Sequence, residues 1–186
     1  MKNKGIIIGA AVVAFVIIGL VGVYNSMVRS QVKVENAFAN VQAELQRRAD
    51  LIPNYTNIVQ YVAEHENEVV QMITNARSEI GSAKTPADID KASKDLDTAI
   101  GRLIAISEDN IELKSSENFL SFQDELAGTE NRVAVARMDY NDAVKEYNTK
   151  IRVFPTSLFA GIFGFDKAEQ FSADADAQAV PAVVFN

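Results

Sequence analysis

An unbroken apolar run opens the chain. Ile6 to Val23 is 18 residues without a charged or strongly polar side chain. At about 1.5 Å per residue it makes roughly 27 Å of helix, close to a hydrocarbon core of about 30 Å. Lys2 and Lys4 flank one side and Tyr24 and Arg29 the other, with Tyr24 suited to the membrane interface. A cleaved signal peptide would have a shorter apolar core, about 7–15 residues, and small residues at its cleavage site. Val21-Gly22-Val23 fits that site poorly, so the expectation is a retained transmembrane helix over residues 6–23, preceded by a short basic stretch at 1–5.

Beyond the run the apolar positions recur at helical spacing. Val34, Phe38, Val41 and Leu45 form a first stripe, in a stretch from Tyr24 to Ile52 that holds neither Gly nor Pro. Pro53 interrupts it and biases Ile52 away from the helical region. A second stripe runs through Tyr55, Val59, Val62, Val69, Ile73, Ala76 and Ile80, with Gly81-Ser82 expected as its C-terminal cap. Thr85-Pro86, with Asp88 in the first turn, restarts the chain. Ile89, Leu96, Ile100, Leu103 and Ser107 carry the third helix. Glu108–Ser116 is a polar connection whose final serines can cap the next helix. The fourth stripe is the longest: Phe119, Phe122, Leu126, Val133, Tyr140, Val144, Tyr147 and Ile151, ended by Phe154-Pro155.

Strand signals are confined to Ala182-Val183-Val184-Phe185, which has no partner segment. The expected fold is therefore all-α: the transmembrane helix, then an antiparallel four-helix bundle over 24–154 with coiled-coil-like stripes. The alternative is three long helices, with Pro53 only kinking the first. Residues 155–186 form an apolar segment and an Ala/Asp-rich tail. Phe154, Phe159, Phe163 and Phe165 are expected to cap one end of the bundle, with a second membrane-interface element as the alternative.

Composition removes several function classes. There is no Cys, which excludes disulfides, thiolate metal sites, a thiol nucleophile and a lipidated cysteine. One His excludes a multi-His metal site, and no cofactor is expected. The net charge is −7, with both lysines of the first 23 residues lying in the membrane head, so the remainder is more acidic still. That excludes a nucleic-acid surface, and it makes the anchor rather than overall charge the attachment to the bilayer. Lys2, Lys4 and the α-amine against Arg29 and Lys33 tip the orientation, by a narrow margin, toward a domain on the outer side of the membrane.

The chemical motifs are few. His65 in Glu64-His65-Glu66-Asn67-Glu68 lacks the second His of a zinc-protease helix, since position 69 is Val. Position 62 is Val, so the E-x-x-H of a di-iron bundle fails as well. Tyr140-Asn141 and Tyr147-Asn148 repeat at seven residues on one helical face, where the amides can satisfy buried hydroxyls. Gln46-Arg47-Arg48-Ala49-Asp50-Leu51-Ile52-Pro53-Asn54 is denser in polar groups than a helix end needs. Arg48 falls on the apolar stripe and needs an acidic partner, with Glu130 and Asp50 as candidates. Arg47 points about 100° away and cannot serve the same pair. Arg47, Arg48, Asp50, Asn54, His65 and Glu66 together mark a candidate partner surface.

The Gln46–Asn54 segment resembles the signature of the LemA family of bacterial membrane proteins. The similarity continues through Tyr24-Asn25-Ser26-Met27-Val28, His65-Glu66, Gly128-Thr129-Glu130-Asn131-Arg132 and Ala136-Arg137. It goes on through Tyr140-Asn141, Tyr147-Asn148, Phe154-Pro155, Phe163-Gly164-Phe165 and the Pro181–Phe185 ending. Tyr61-Val62 departs from the Gly-Tyr common in the family ahead of its His-Glu. The resemblance implies an N-terminal anchor in the bacterial cytoplasmic membrane and a helical domain, and it implies no activity. Two function classes are compatible with the residues. One is a non-enzymatic interaction or scaffold module for another membrane or envelope protein. The other is a sensor holding a small ligand or cation between helices near Arg48, His65 and the neighbouring acids.

Overall fold

The computed structural model describes residues 2–172, apart from the side chains of residues 2–6, 56, 57, 63 and 65. Every regular element among the described residues is a helix. They are α1 (Lys2–Asn54), α2 (Thr56–His65), α3 (Asn67–Ser82), α4 (Pro86–Glu108), α5 (Ile111–Lys114), α6 (Glu117–Arg152) and α7 (Ser157–Ala160). The strand considered at 182–185 and the Ala/Asp-rich tail beyond Ser172 lie outside the described residues.

α1 begins with the apolar run, whose described side chains are mostly exposed and none buried: Ile7, Phe15 and Ile18 are 67%, 79% and 71% exposed. It is a helix long and apolar enough to cross a membrane. From Met27 onward the same helix turns amphipathic and buries Met27, Val34, Val41, Leu45, Ala49 and Ile52.

Pro53 neither stops α1 at once nor kinks a longer helix. It sits inside the last turn, and the helix ends after Asn54. Proline removes one N–H from the ladder, so the chain breaks just past it. Tyr55 alone leaves the helical path, its N–H bonding the Ile52 carbonyl at 3.1 Å. A second break falls at Glu66, which divides the expected second helix into α2 and α3. Gly81 does not cap α3. It lies within the helix, and the exit is made by extended Ala83, one step ahead of the Thr85-Pro86 restart.

At that restart Asp88 N–H donates to Thr85 Oγ1 (3.2 Å), and Thr85 and Lys84 N–H donate to Asp88 Oδ2 (3.0 and 3.1 Å). This reciprocal capping satisfies amides that the first helical turn leaves open. Within the Glu108–Ser116 connection α5 forms a single turn, capped by Asn110 Oδ1, and Ser116 Oγ accepts from Phe119 N–H (3.2 Å) to start α6.

The chain divides into two compact units. One joins the residues up to Glu44 with Asn131–Ala168; its core holds Met27, Val34, Val41, Val133, Ala136, Tyr140, Val144, Tyr147 and Ile151. The other is Leu45–Glu130 with residues 169–172; its core holds Leu45, Ile52, Ile58, Val62, Ile73, Ile80, Ile89, Leu96, Leu103, Phe119 and Phe122.

Candidate functional site

In the Leu45–Glu130 unit, the Gln46–Asn54 segment is the last two turns of α1. Helical geometry separates its side chains into an inner and an outer set. Arg48 faces inward, its side chain 10% exposed, and reaches two acids: Asp97 Oδ1 at 2.6 Å on α4 and Glu130 Oε2 at 3.7 Å on α6. A guanidinium this far from water requires such partners. Of the two acids expected for it, Glu130 is a partner and Asp50 is not. Asp50 pairs with Arg77 on α3 and accepts from Gln46 Nε2 at 3.2 Å. Arg77 and Asp97 were not anticipated as partners, because ion pairs between helices leave no mark in residue spacing.

Arg47 faces outward. It is exposed and makes no ion pair or hydrogen bond among the described residues. Asn54, seven residues on and so on nearly the same helical face, is exposed too. Glu66 at the α2–α3 break pairs with Arg102 on α4 at 3.4 Å. The His65 side chain lies outside the described residues. Of the six candidate surface residues, then, Arg48, Asp50 and Glu66 tie helices together, while Arg47 and Asn54 are turned to solvent.

The aromatic segment after α6 belongs to the other unit. The Phe163 and Phe165 rings meet Tyr24 edge-on, at centroid distances of 5.2 and 5.8 Å. Phe159 sits against Phe163 at 6.4 Å. The segment therefore folds back beside the first residue after the apolar run. Phe154 does not join it: that ring is 79% exposed and makes no ring contact among the described residues. The turn at Pro155 carries the chain away before the fold-back begins.

Two polar clasps hold the return. Tyr147 Oη donates to the Asp166 carbonyl at 2.8 Å, and the Asn148 amide exchanges two 2.9 Å bonds with the backbone of Ala168. Burial, with the Asp166 and Glu35 charges, pushes the Tyr147 hydroxyl up from its usual pKa, which keeps it a donor. This Tyr-Asn pair fastens chain to chain; in the other, the Tyr140 ring lies tilted against Phe38, at a centroid distance of 5.8 Å.

A family model for LemA proteins matches residues 37–185, which takes in the Gln46–Asn54 segment, both clasps and the aromatic return. The chain belongs to the LemA family. Among its relatives is "Protein LemA" of Metamycoplasma hominis, 32% identical over 146 residues, covering 75% of this chain and 64% of that protein. Another is "Magnetosome protein MamQ 2" of Paramagnetospirillum magneticum, 29% identical over 187 residues, covering 87% of this chain and 68% of that one. "Magnetosome protein MamQ" of Magnetospirillum gryphiswaldense is 24% identical over 174 residues, covering 80% and 64%. This LemA chain thus spans a little under two thirds of the length of the first of them.

Proposed function

We propose that this LemA-family chain is a non-enzymatic scaffold, anchored in the bacterial cytoplasmic membrane with its domain on the outer side. It offers the Arg47–Asn54 face to another membrane or envelope protein. The observation that carries this reading is the continuity of α1. One helix supplies both a largely exposed apolar stretch and the buried residues Met27, Val34 and Val41. The anchor and the first buried residues of the domain are thus parts of a single helix.

The four helical passages of the Leu45–Glu130 unit form an antiparallel four-helix bundle. They are the end of α1, α2 with α3, α4, and the start of α6. In support, Arg48 bridges three of them, and Asp50 and Glu66 add ties from α1 to α3 and from α2 to α4. Charges that a ligand site would use are spent on helix packing, which favours the scaffold over a sensor. Arg47 is left as a cation on a rigid helix, a residue type enriched at binding hot spots.

The test places a photo-crosslinking side chain at Asn54 in intact membranes. A discrete protein adduct is expected, and it should be lost when Arg47→Ala is added. A diffuse ladder, or an adduct indifferent to Arg47→Ala, would remove the surface from the function.

A further inference from the structure

We propose that the cavity at the membrane end of α1 binds the phosphate of an anionic phospholipid headgroup. The cavity holds about 450 Å³ and is lined by Gly22, Asn25, Arg29, Ser30 and Lys33 of α1 and by Lys150 of α6. With Ser26, the α1 residues fall in two adjacent rows at three- and four-residue steps, 22, 25, 29, 33 and 22, 26, 30, 33, so they form one face of the helix. That face starts inside the apolar run at Gly22 and rises over three turns. Arg29 is six residues past Val23, roughly 9 Å along the axis. The headgroup layer extends about 5–8 Å beyond the hydrocarbon on each side. Helical side chains lean toward the N-terminus, which for this helix means toward the bilayer, so Arg29 reaches down into that layer, and Lys33, roughly 15 Å along the axis, stands above it.

The lining has the chemistry of a phosphate site. Three cations converge on it, and one carboxylate, Glu146, stands between Lys33 (3.2 Å) and Lys150 (3.9 Å). Arg29 has no acidic partner among the described residues. The wall is therefore locally basic in a chain whose net charge is −7. Ser30 supplies a second, independent sign. It is 1% exposed, and its hydroxyl has no hydrogen-bond partner among the described residues. A buried hydroxyl without a partner is costly, and a phosphate oxygen would accept from it. At the lower edge Gly22 has no side chain, and a Cβ there would meet nothing within 4 Å. That leaves open space where the glycerol and the first acyl carbons of a bound lipid would lie. Cations alone flank many membrane helices; a buried unpaired hydroxyl among three of them distinguishes a site from a flank.

The proposal rests on α1 crossing the bilayer, and the experiment separates the two. The full chain is reconstituted into nanodiscs of phosphatidylcholine with and without phosphatidylglycerol, and the lipids retained are counted by native mass spectrometry. Incorporation into both disc types reports the anchor alone. For the site, phosphatidylglycerol should be retained roughly tenfold over phosphatidylcholine, a difference of about 1.4 kcal/mol. Arg29→Gln with Lys150→Gln should abolish the preference. Ser30→Ala, which changes no charge, should reduce it severalfold, whereas Lys145→Gln, outside this cavity, should leave it intact. Equal retention of both lipids overturns the proposal. So does a preference that survives the double variant, or one insensitive to Ser30→Ala, since general charge attraction would then explain it. Retention of phosphatidylglycerol unchanged by added inorganic phosphate supports the lipid; loss of its excess over phosphatidylcholine on adding inorganic phosphate would assign the cavity to the free anion instead and overturn the proposal.

Discussion

Arg48 Nη1 lies 2.6 Å from Asp97 Oδ1, the guanidinium almost wholly buried and the carboxylate half exposed. The pair is lopsided in its solvation, and so the consequences of breaking it are lopsided. Asp97→Ala strands a buried charge with only Glu130 at 3.7 Å. Stability should fall by roughly 1–3 kcal/mol, less than for a pair buried on both sides. Arg48→Met, which fills the space without a charge, should be tolerated better than Arg48→Ala. Denaturant midpoints of the three variants check the ranking; Arg48→Met as damaging as Arg48→Ala would refute it.

Acid should weaken α4 through its cap. The Lys84 N–H, then the Thr85 hydroxyl and N–H, hold the Asp88 carboxyl below its usual pKa. A carboxyl with a depressed folded pKa contributes stability that is complete above the unfolded value. It is lost as pH falls through the folded one, here below about pH 4. Asp88→Asn should flatten that part of the stability curve, followed by circular dichroism during acid titration. Thr85→Ala should cost about 1 kcal/mol at neutral pH.

Phe122 is fully buried, its ring 4.9 Å from that of Tyr55 at the α1–α2 break. Phe122→Ala should cost about 3–5 kcal/mol, since a cavity of aromatic size cannot collapse in a packed core. Tyr55→Phe removes only an exposed 3.4 Å contact with Ser121 and should change stability by less than about 0.5 kcal/mol. Thermal unfolding of both variants measures the contrast.

Tyr147→Phe removes the donor that the Asp166 carbonyl uses. The expected loss is about 1 kcal/mol. Hydrogen exchange should show the effect locally, as faster exchange around Phe165–Ala168 with the middle of α6 unchanged. Uniform acceleration throughout α6 would mean that the clasp is global.

Carbonate extraction should leave the full chain in the membrane pellet, with its apolar run still attached. Release into the supernatant, or an N-terminus beginning after Val23, would exclude an integral anchor.

Much of the fold was legible because burial follows period. Each stripe residue from Phe119 to Ile151 is buried, and so are Ile89, Leu96, Ile100, Leu103 and Ser107. What escaped was set by tertiary structure. The break at Glu66 has neither Gly nor Pro to announce it and coincides with an ion pair to Arg102, thirty-six positions away. Asp97 and Arg77 answer Arg48 and Asp50 across helices, which spacing within one helix does not encode. The cavity at Gly22–Lys33 escaped for the same reason, since Lys150 completes it from α6. Arg29 and Lys33, by contrast, were visible in the sequence as flanking charges, but not Ser30 as a hydroxyl without a partner.

α1 runs from the apolar stretch into the domain with no Gly or Pro between Val23 and Pro53. With its apolar stretch in a bilayer, such a helix would behave as a lever with the bilayer as its fulcrum. Its arm from Val23 to Glu44 is roughly 30 Å long at 1.5 Å per residue. A membrane that thins by a few ångströms tilts a span rather than compressing it. Each 10° of tilt would then swing the far end of that arm sideways by about 5 Å, so local membrane thickness would be converted into lateral position.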